Sequence, residues 1–235
     1  MPVALITGSS RGLGRALART LAARGWTLVL DARGSPDLDG VARELAGWTR
    51  VVAVAGDVAD PEHRAALAAA VDGLGDLDLL VNNASALGPS PMPALADFPL
   101  AELARVYEVN VLAPLGLIQL LLPALTRAGG RIVDVSSDAA VEPYPGWGGY
   151  GSAKAALDQL TAVLGAERPD LKVYGFDPGD MRTDLHQQAF PGEDISDRPE
   201  PETVVPALLR LVDGDLPSGR YRVADLAVPA ERTRR

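Results

Sequence analysis

Val3-Ala4-Leu5-Ile6-Thr7-Gly8-Ser9-Ser10-Arg11-Gly12-Leu13-Gly14 is the stretch whose reading decides the fold. Four aliphatic residues form a buried strand, a turn with glycine at 8, 12 and 14 follows, and apolar residues then recur at helical spacing from Gly14 to Arg24. Glycine lets the backbone turn sharply and approach a ligand closely, while a helix N-terminus presents free N–H groups and the positive end of its dipole. A dinucleotide pyrophosphate fits such a turn, with Gly8, Ser10, Arg11, Gly12, Leu13 and Gly14 around it. A glycine-rich strand–helix turn also serves packing alone, so the rest of the chain has to decide.

Further short aliphatic runs stand at Thr27 to Leu30, Val51 to Ala55, Leu77 to Val81, Arg131 to Val135 and Leu171 to Phe176. Between them lie helical segments at Leu38 to Leu45, Pro61 to Leu74, Leu100 to Leu125 and Tyr150 to Glu167. Strand alternating with helix predicts an α/β fold with a doubly wound parallel sheet, a Rossmann fold of about seven strands with helices on both faces. Arg220 to Val223 supplies the seventh strand, Pro191 to Pro201 a loop over the site, and the residues from 226 onward, with basic Arg232 to Arg235, a solvated tail. Residues 1–235 read as a single domain, with 185–202 as its substrate loop. Ligands of such sheets bind beyond the carboxyl ends of the strands, near the switch in strand order.

Composition narrows the function. A formal charge of -9 opposes nucleic acid and anionic membranes, which leaves a small molecule as the expected partner. The chain has no cysteine, which excludes disulfides and thiolate chemistry, and with two histidines no transition-metal site is expected. The start has no basic n-region and the apolar stretch Val109 to Leu125 is broken by Asn110, Pro114, Gln119 and Pro123, so the expectation is a cytoplasmic protein with no membrane span. Only Lys154 and Lys172 are lysine, and only Asn82, Asn83 and Asn110 are asparagine. In so sparing a chain, a specific chemical role for each gains weight.

Thr7-Gly8-x-x-x-Gly12-x-Gly14 resembles the cofactor signature of the short-chain dehydrogenase/reductase family, and its spacing differs from those of medium-chain dehydrogenases and of the extended sugar-nucleotide branch. The resemblance runs from Val3 to about Thr183. It implies that Asp57-Val58 contacts the adenine and that Asn82-Asn83-Ala84-Ser85 matches the Asn-Asn-Ala-Gly motif, with Asn83 and Ala84 at the cofactor; Ser85 departs from the pattern. Where NAD users often carry an acid after the second strand, this chain has Ala32, then Arg33. With Arg11, Arg33 offers guanidinium groups suited to a 2′-phosphate, so NADP(H) is preferred. NAD(H) stays open, because both arginines also read as surface charge and Asp31 as a ribose ligand.

Tyr150 and Lys154, four apart at the head of a helix, share one face. A phenol has a pKa of about 10, and a neighbouring ammonium is expected to lower it into a useful range. Tyr-x-x-x-Lys alone is common. Ser137 ends the fifth strand thirteen positions before Tyr150, and Asn110 lies in the long helix before that strand; both spacings resemble the family's catalytic set. The resemblance then implies Tyr150 as proton donor and acceptor, Ser137 as hydrogen-bond donor to the substrate oxygen, Lys154 as partner of Tyr150 and of the nicotinamide ribose, and Asn110 as holder of a water. Ser136 competes with Ser137, though the spacing favours the latter. Pro178, Gly179 and Thr183 resemble the segment near the carboxamide and pyrophosphate.

The implied activity is hydride transfer between nicotinamide and a small carbonyl or alcohol. A non-catalytic NAD(P) sensor, an NAD-dependent alcohol dehydrogenase, or an isomerase or dehydratase of the same fold are the alternatives. The loop from Ser137 to Gly149 carries Asp138, Glu142, Tyr144 and Trp147, with Met181, His186 and Phe190 expected opposite; mixed aromatic and acidic walls point to a polar, cationic or heterocyclic substrate. Apolar surface at Leu117 to Leu125 and Leu157 to Leu164 suggests a homodimer. Gly219 to Asp225 replaces the family's usual Asp-Gly-Gly turn and puts a homotetramer through that end in doubt.

Overall fold

In a computed structural model, which describes residues 1–226, seven parallel strands lie in the order β3-β2-β1-β4-β5-β6-β7. They are β1 (Val3–Ile6), β2 (Thr27–Ala32), β3 (Val51–Ala55), β4 (Leu79–Asn82), β5 (Arg131–Val135), β6 (Lys172–Asp177) and β7 (Gly219–Arg222). The chain builds outward from β1 to β3, returns to β4 on the other side of β1, and continues outward to β7. The switch in strand order therefore falls between β1 and β4, where the carboxyl ends leave a crevice.

The crossovers are α1 (Gly12–Ala23), α2 (Ser35–Leu45), α3 (Pro61–Asp72), α4 (Leu100–Tyr107), α5 (Ala113–Ala128) and α6 (Gly148–Glu167), followed by α7 (Asp184–Ala189), α8 (Val205–Asp213) and α9 (Val223–Leu226). One face of the sheet packs on α1, α2 and α8 through Leu17, Leu21, Leu38, Leu208 and Leu211. The other packs on α3 and α5 through Leu67, Leu117, Leu121 and Leu125. Both faces are covered, which is why β1, β2 and β4 are buried at every position.

The long helix expected from Leu100 to Leu125 is interrupted: Glu108–Leu112 widens into a π-helical turn between α4 and α5. Asn110 explains how this is tolerated. Its side-chain Nδ2 donates to the Val106 carbonyl at 2.9 Å, the group an unbroken α-helix would give to the Asn110 backbone N–H. Leu100–Ala128 is long and apolar enough to cross a bilayer, yet Leu117, Leu121, Ala124 and Leu125 pack under the sheet as a core helix does. Leu226, expected to open a tail, closes α9 and is buried in the core; the rest of that expected tail, Arg232 to Arg235 included, lies outside the described residues.

Candidate active site

The crevice is a cleft of about 980 Å3 running past the ends of β1, β2, β3, β4, β5 and β6. Its volume is of the size that small-molecule and cofactor sites occupy. All the residues assigned to the cofactor and to catalysis line it except Asn110 and Gly14, the latter in the first turn of α1.

Gly8 (φ 63°) turns the chain out of β1 where a Cβ would stand 2.9 Å from the Ala84 Cα. Gly14 admits no side chain either, since its Cβ would meet the Gly8 carbonyl and the Asn83 amide. Asn83 is thus a brace: Nδ2 donates to the carbonyls of Thr7 (2.9 Å) and Gly8 (3.0 Å), and the Thr7 hydroxyl accepts from the backbone N–H groups of Asn83 and Ala84. Ser10, Arg11, Gly12 and Leu13 face the cleft from the loop.

Asp31 lines the cleft with both carboxylate oxygens engaged. Its Oδ1 meets His63 Nε2 at 2.7 Å, its Oδ2 accepts from the Gly8 N–H at 3.3 Å, and its carbonyl takes both the backbone and hydroxyl of Ser9. Burial raises its pKa, with His63 and the Gly8 N–H pulling it back. Asp31 and His63 together hold the glycine loop from beneath. Ala32 is buried and Arg33 exposed at the rim, whereas Arg11 is held by Asp184 at 2.6 Å. Arg33 is therefore the guanidinium at the end of β2 without an ion-pair partner among the described residues. Asp57 and Val58 line the same end, with Asp57 accepting from the Ala59 N–H and paired with Arg105.

At the other end, Ser137 and Tyr150 meet. The Tyr150 ring is buried against Leu87, Ala139 and Trp147. Burial pushes the phenol up to about 12; the nearby Ser85 and Ser137 hydroxyls pull it back, and the carboxylates of Asp138 and Asp177 push it further up. The net direction is upward, opposite to the lowering expected from Lys154. Lys154 Nζ lies 5.6 Å from the Tyr150 ring centroid and donates to the Val135 carbonyl at 2.7 Å. Burial also brings its ammonium down to about 8, against the pull of Asp158 and Asp134.

Asn110 is fully engaged through its amide: Nδ2 donates to Ala86 and Val106 carbonyls and Oδ1 accepts from Ser85 Oγ at 2.6 Å. Its side chain fixes Ser85. Ser85, noted in the sequence only as a departure from glycine, thereby joins the site. Arg220 was likewise unforeseen. From β7 it donates to the Ser137 carbonyl and to Asp177 (both 2.9 Å) and to Asp158 (2.9 Å), tying Ser137, β6 and α6 together. The other oxygen of Asp177 accepts from the Gly179 N–H, which sets the Pro178-Gly179 turn. Thr183 caps α7 and touches the space over Gly12. Ser136 Oγ lines the cleft, buried and without a hydrogen-bond partner among the described residues, which suits a polar ligand group there. Backbone clearance for a pyrophosphate, Arg33 at the rim and this hydroxyl all fit a nicotinamide dinucleotide.

The family model described as short chain dehydrogenase matches residues 2–194. The chain is 36% identical over 188 residues to serine 3-dehydrogenase of Agrobacterium fabrum, covering 77% of this chain and 72% of that one. It is 37% identical over 202 residues to sepiapterin reductase of Meriones unguiculatus, covering 80% and 77%. A short chain dehydrogenase of Escherichia coli, solved with NADPH, superposes with a TM-score of 0.86 at 28% identity, over 94% of this chain and 96% of that one.

Proposed function

The chain belongs to the short-chain dehydrogenase family, and we propose that within it this protein is an NADP(H)-dependent oxidoreductase that interconverts a small carbonyl compound and its alcohol. The observation that carries the reading is Ser137 and Tyr150 brought together at one end of a cleft whose other end carries Arg33 beside a buried Ala32. Bound there, the nicotinamide supplies or accepts the hydride.

Tyr150 gives its phenolic proton to the carbonyl oxygen in reduction and takes it back in oxidation. Ser137 donates a hydrogen bond to the same oxygen and stabilises the charge that gathers on it. Lys154, held by Val135, keeps a positive charge behind the phenol, and Asn110 holds Ser85 beside it. Arg220 fixes the position of the Ser137 backbone. An intact Ser, Tyr and Lys set argues against a regulatory sensor. In keeping with the reading, we place the protein in the cytoplasm and a homodimer contact around α5 and α6. Leu117, Leu121, Leu125 and Leu157 are spent on the core, and the exposed apolar residues there are Leu112, Leu120 and Val163.

Consumption of NADPH and of NADH, followed by nicotinamide absorbance over a panel of ketones and aldehydes, tests the reading. Wild type is expected to favour NADPH. Arg33→Ala is expected to lose about tenfold in NADPH affinity and little in NADH affinity, the scale of one charge-assisted phosphate contact. Equal affinities in the wild type overturn the cofactor preference, and no consumption of either cofactor overturns the activity.

A further inference from the structure

Asp138 is a carboxylate inside the site for which the hydride-transfer chemistry has no use. It directly follows Ser137, opens a short turn (Asp138–Ala140) and lines the cleft. Its Oδ1 accepts from the Ser137 hydroxyl at 3.0 Å and its Oδ2 from the Tyr144 hydroxyl at 3.0 Å. Among the described residues these hydroxyls are its side-chain partners, and no cation stands against it. Asp180, across the cleft, differs: His186 lies 3.7 Å and Arg198 3.6 Å from its oxygens.

Ser137 has one proton to give. Its oxygen already accepts from the Ala139 N–H at 3.2 Å, so the hydroxyl hydrogen goes either to Asp138 or to a substrate oxygen. When it turns to the substrate, Asp138 Oδ1 loses its donor in a half-buried place where an unpaired charge is costly. A cationic nitrogen on the carbon next to the reacting one repairs this loss. Nitrogen and oxygen on adjacent carbons lie about one hydrogen-bond length apart, the separation of Ser137 Oγ from Asp138 Oδ1, so one ligand spans both groups. The surroundings suit an ammonium: Tyr144, Trp147 and Tyr150 form an edge-to-face row beside Asp138, with ring centroids 6.4 and 5.9 Å apart. Asp138 is also one of the charges that oppose ionisation of Tyr150, and a cation seated on it removes that opposition.

We infer that Asp138 anchors a cationic nitrogen and that the substrate is a vicinal amino alcohol or the matching α-amino carbonyl compound. The inference rests on the hydride-transfer reading above. In the reductive direction the hydride goes to the carbonyl carbon, Tyr150 supplies the proton to its oxygen, NADPH becomes NADP+, and the amine leaves unchanged.

Isopropanolamine and its uncharged isostere sec-butanol separate the two ideas, assayed by NADP+ reduction and by calorimetric titration of the NADP+-loaded protein. Wild type is expected to prefer the amine by about tenfold or more in kcat/KM and in affinity, the worth of one partly buried ion pair. In Asp138→Asn that preference falls to near one, and Asp138→Glu restores part of it. Equal use of both alcohols by the wild type, or a preference that survives in Asp138→Asn, overturns the inference and leaves the oxidoreductase reading standing. Amine binding that depends on Asp138 without any NADP+ reduction supports the anchor but overturns the amino alcohol as substrate, and the hydride-transfer reading is then decided by the carbonyl panel.

Discussion

Tyr150→Phe is expected to lower kcat by about 10^3-fold while NADPH binds as in the wild type. The variant keeps the ring. Its contacts with Leu87, Ala139 and Trp147, the last at a centroid distance of 5.9 Å, involve the aromatic body and not the hydroxyl. Nothing about packing therefore compels the fold to change. What is lost is the group positioned to exchange a proton with the substrate oxygen: the Ser137 alcohol, a far weaker acid than a phenol, donates a hydrogen bond to that oxygen without giving up its proton, and Lys154 points to Val135. Turnover and NADPH titration of the two proteins side by side decide the matter; equal turnover would assign the proton to another group.

Lys154→Met is expected to cost about as much activity and yet to make the protein more stable at neutral pH. Lys154 is buried, and its ammonium is brought down to about 8 from an ordinary 10.5. Between these values the unfolded chain holds the proton more tightly than the folded one, so wild-type stability rises with pH across that window and carries its full penalty below it. The gap sets an upper limit of roughly 3 kcal/mol, and loss of the bond to the Val135 carbonyl offsets about 1 kcal/mol. At pH 7 the methionine variant should melt about 5 °C above the wild type. The difference should shrink as pH rises from about 8 to 10.5. Calorimetric melting curves over that range check both sign and window, and a variant that melts lower at pH 7 would show that Lys154 stabilises its surroundings.

The parts of the fold legible in the sequence are those written by local patterns. The aliphatic run Val3–Ile6 followed by glycines at 8, 12 and 14 carries strand, turn and helix within a few residues. Tyr150 and Lys154 are one helical turn apart, so their shared face follows from helix geometry alone. What local patterns do not encode depends on partners distant in sequence. Asp31 meets His63 from 32 positions away, Ser85 meets Asn110 from 25, and Arg220 reaches Ser137 from 83. No periodicity encodes such pairs. The π-helical turn at Glu108–Leu112 was equally hidden, since the apolar pattern runs through it and only the Asn110 bond to Val106 accounts for it. α8 went unread behind the Pro-rich and acidic stretch that precedes it, although Leu208 and Leu211 are fully buried. Burial, too, is a tertiary property, which is why the spacing of Tyr150 and Lys154 was right while the expected lowering of the phenol was not.

On the proposed function, this cleft moves a hydride between a nicotinamide and carbon. NADPH deuterated at its transferable position, incubated with the wild-type protein and a panel of neutral ketones and α-amino ketones, tests it most directly by mass spectrometry of the product. One deuterium on the carbinol carbon is expected for each NADPH oxidised. Product without deuterium, or NADPH left unconsumed across the panel, would contradict it.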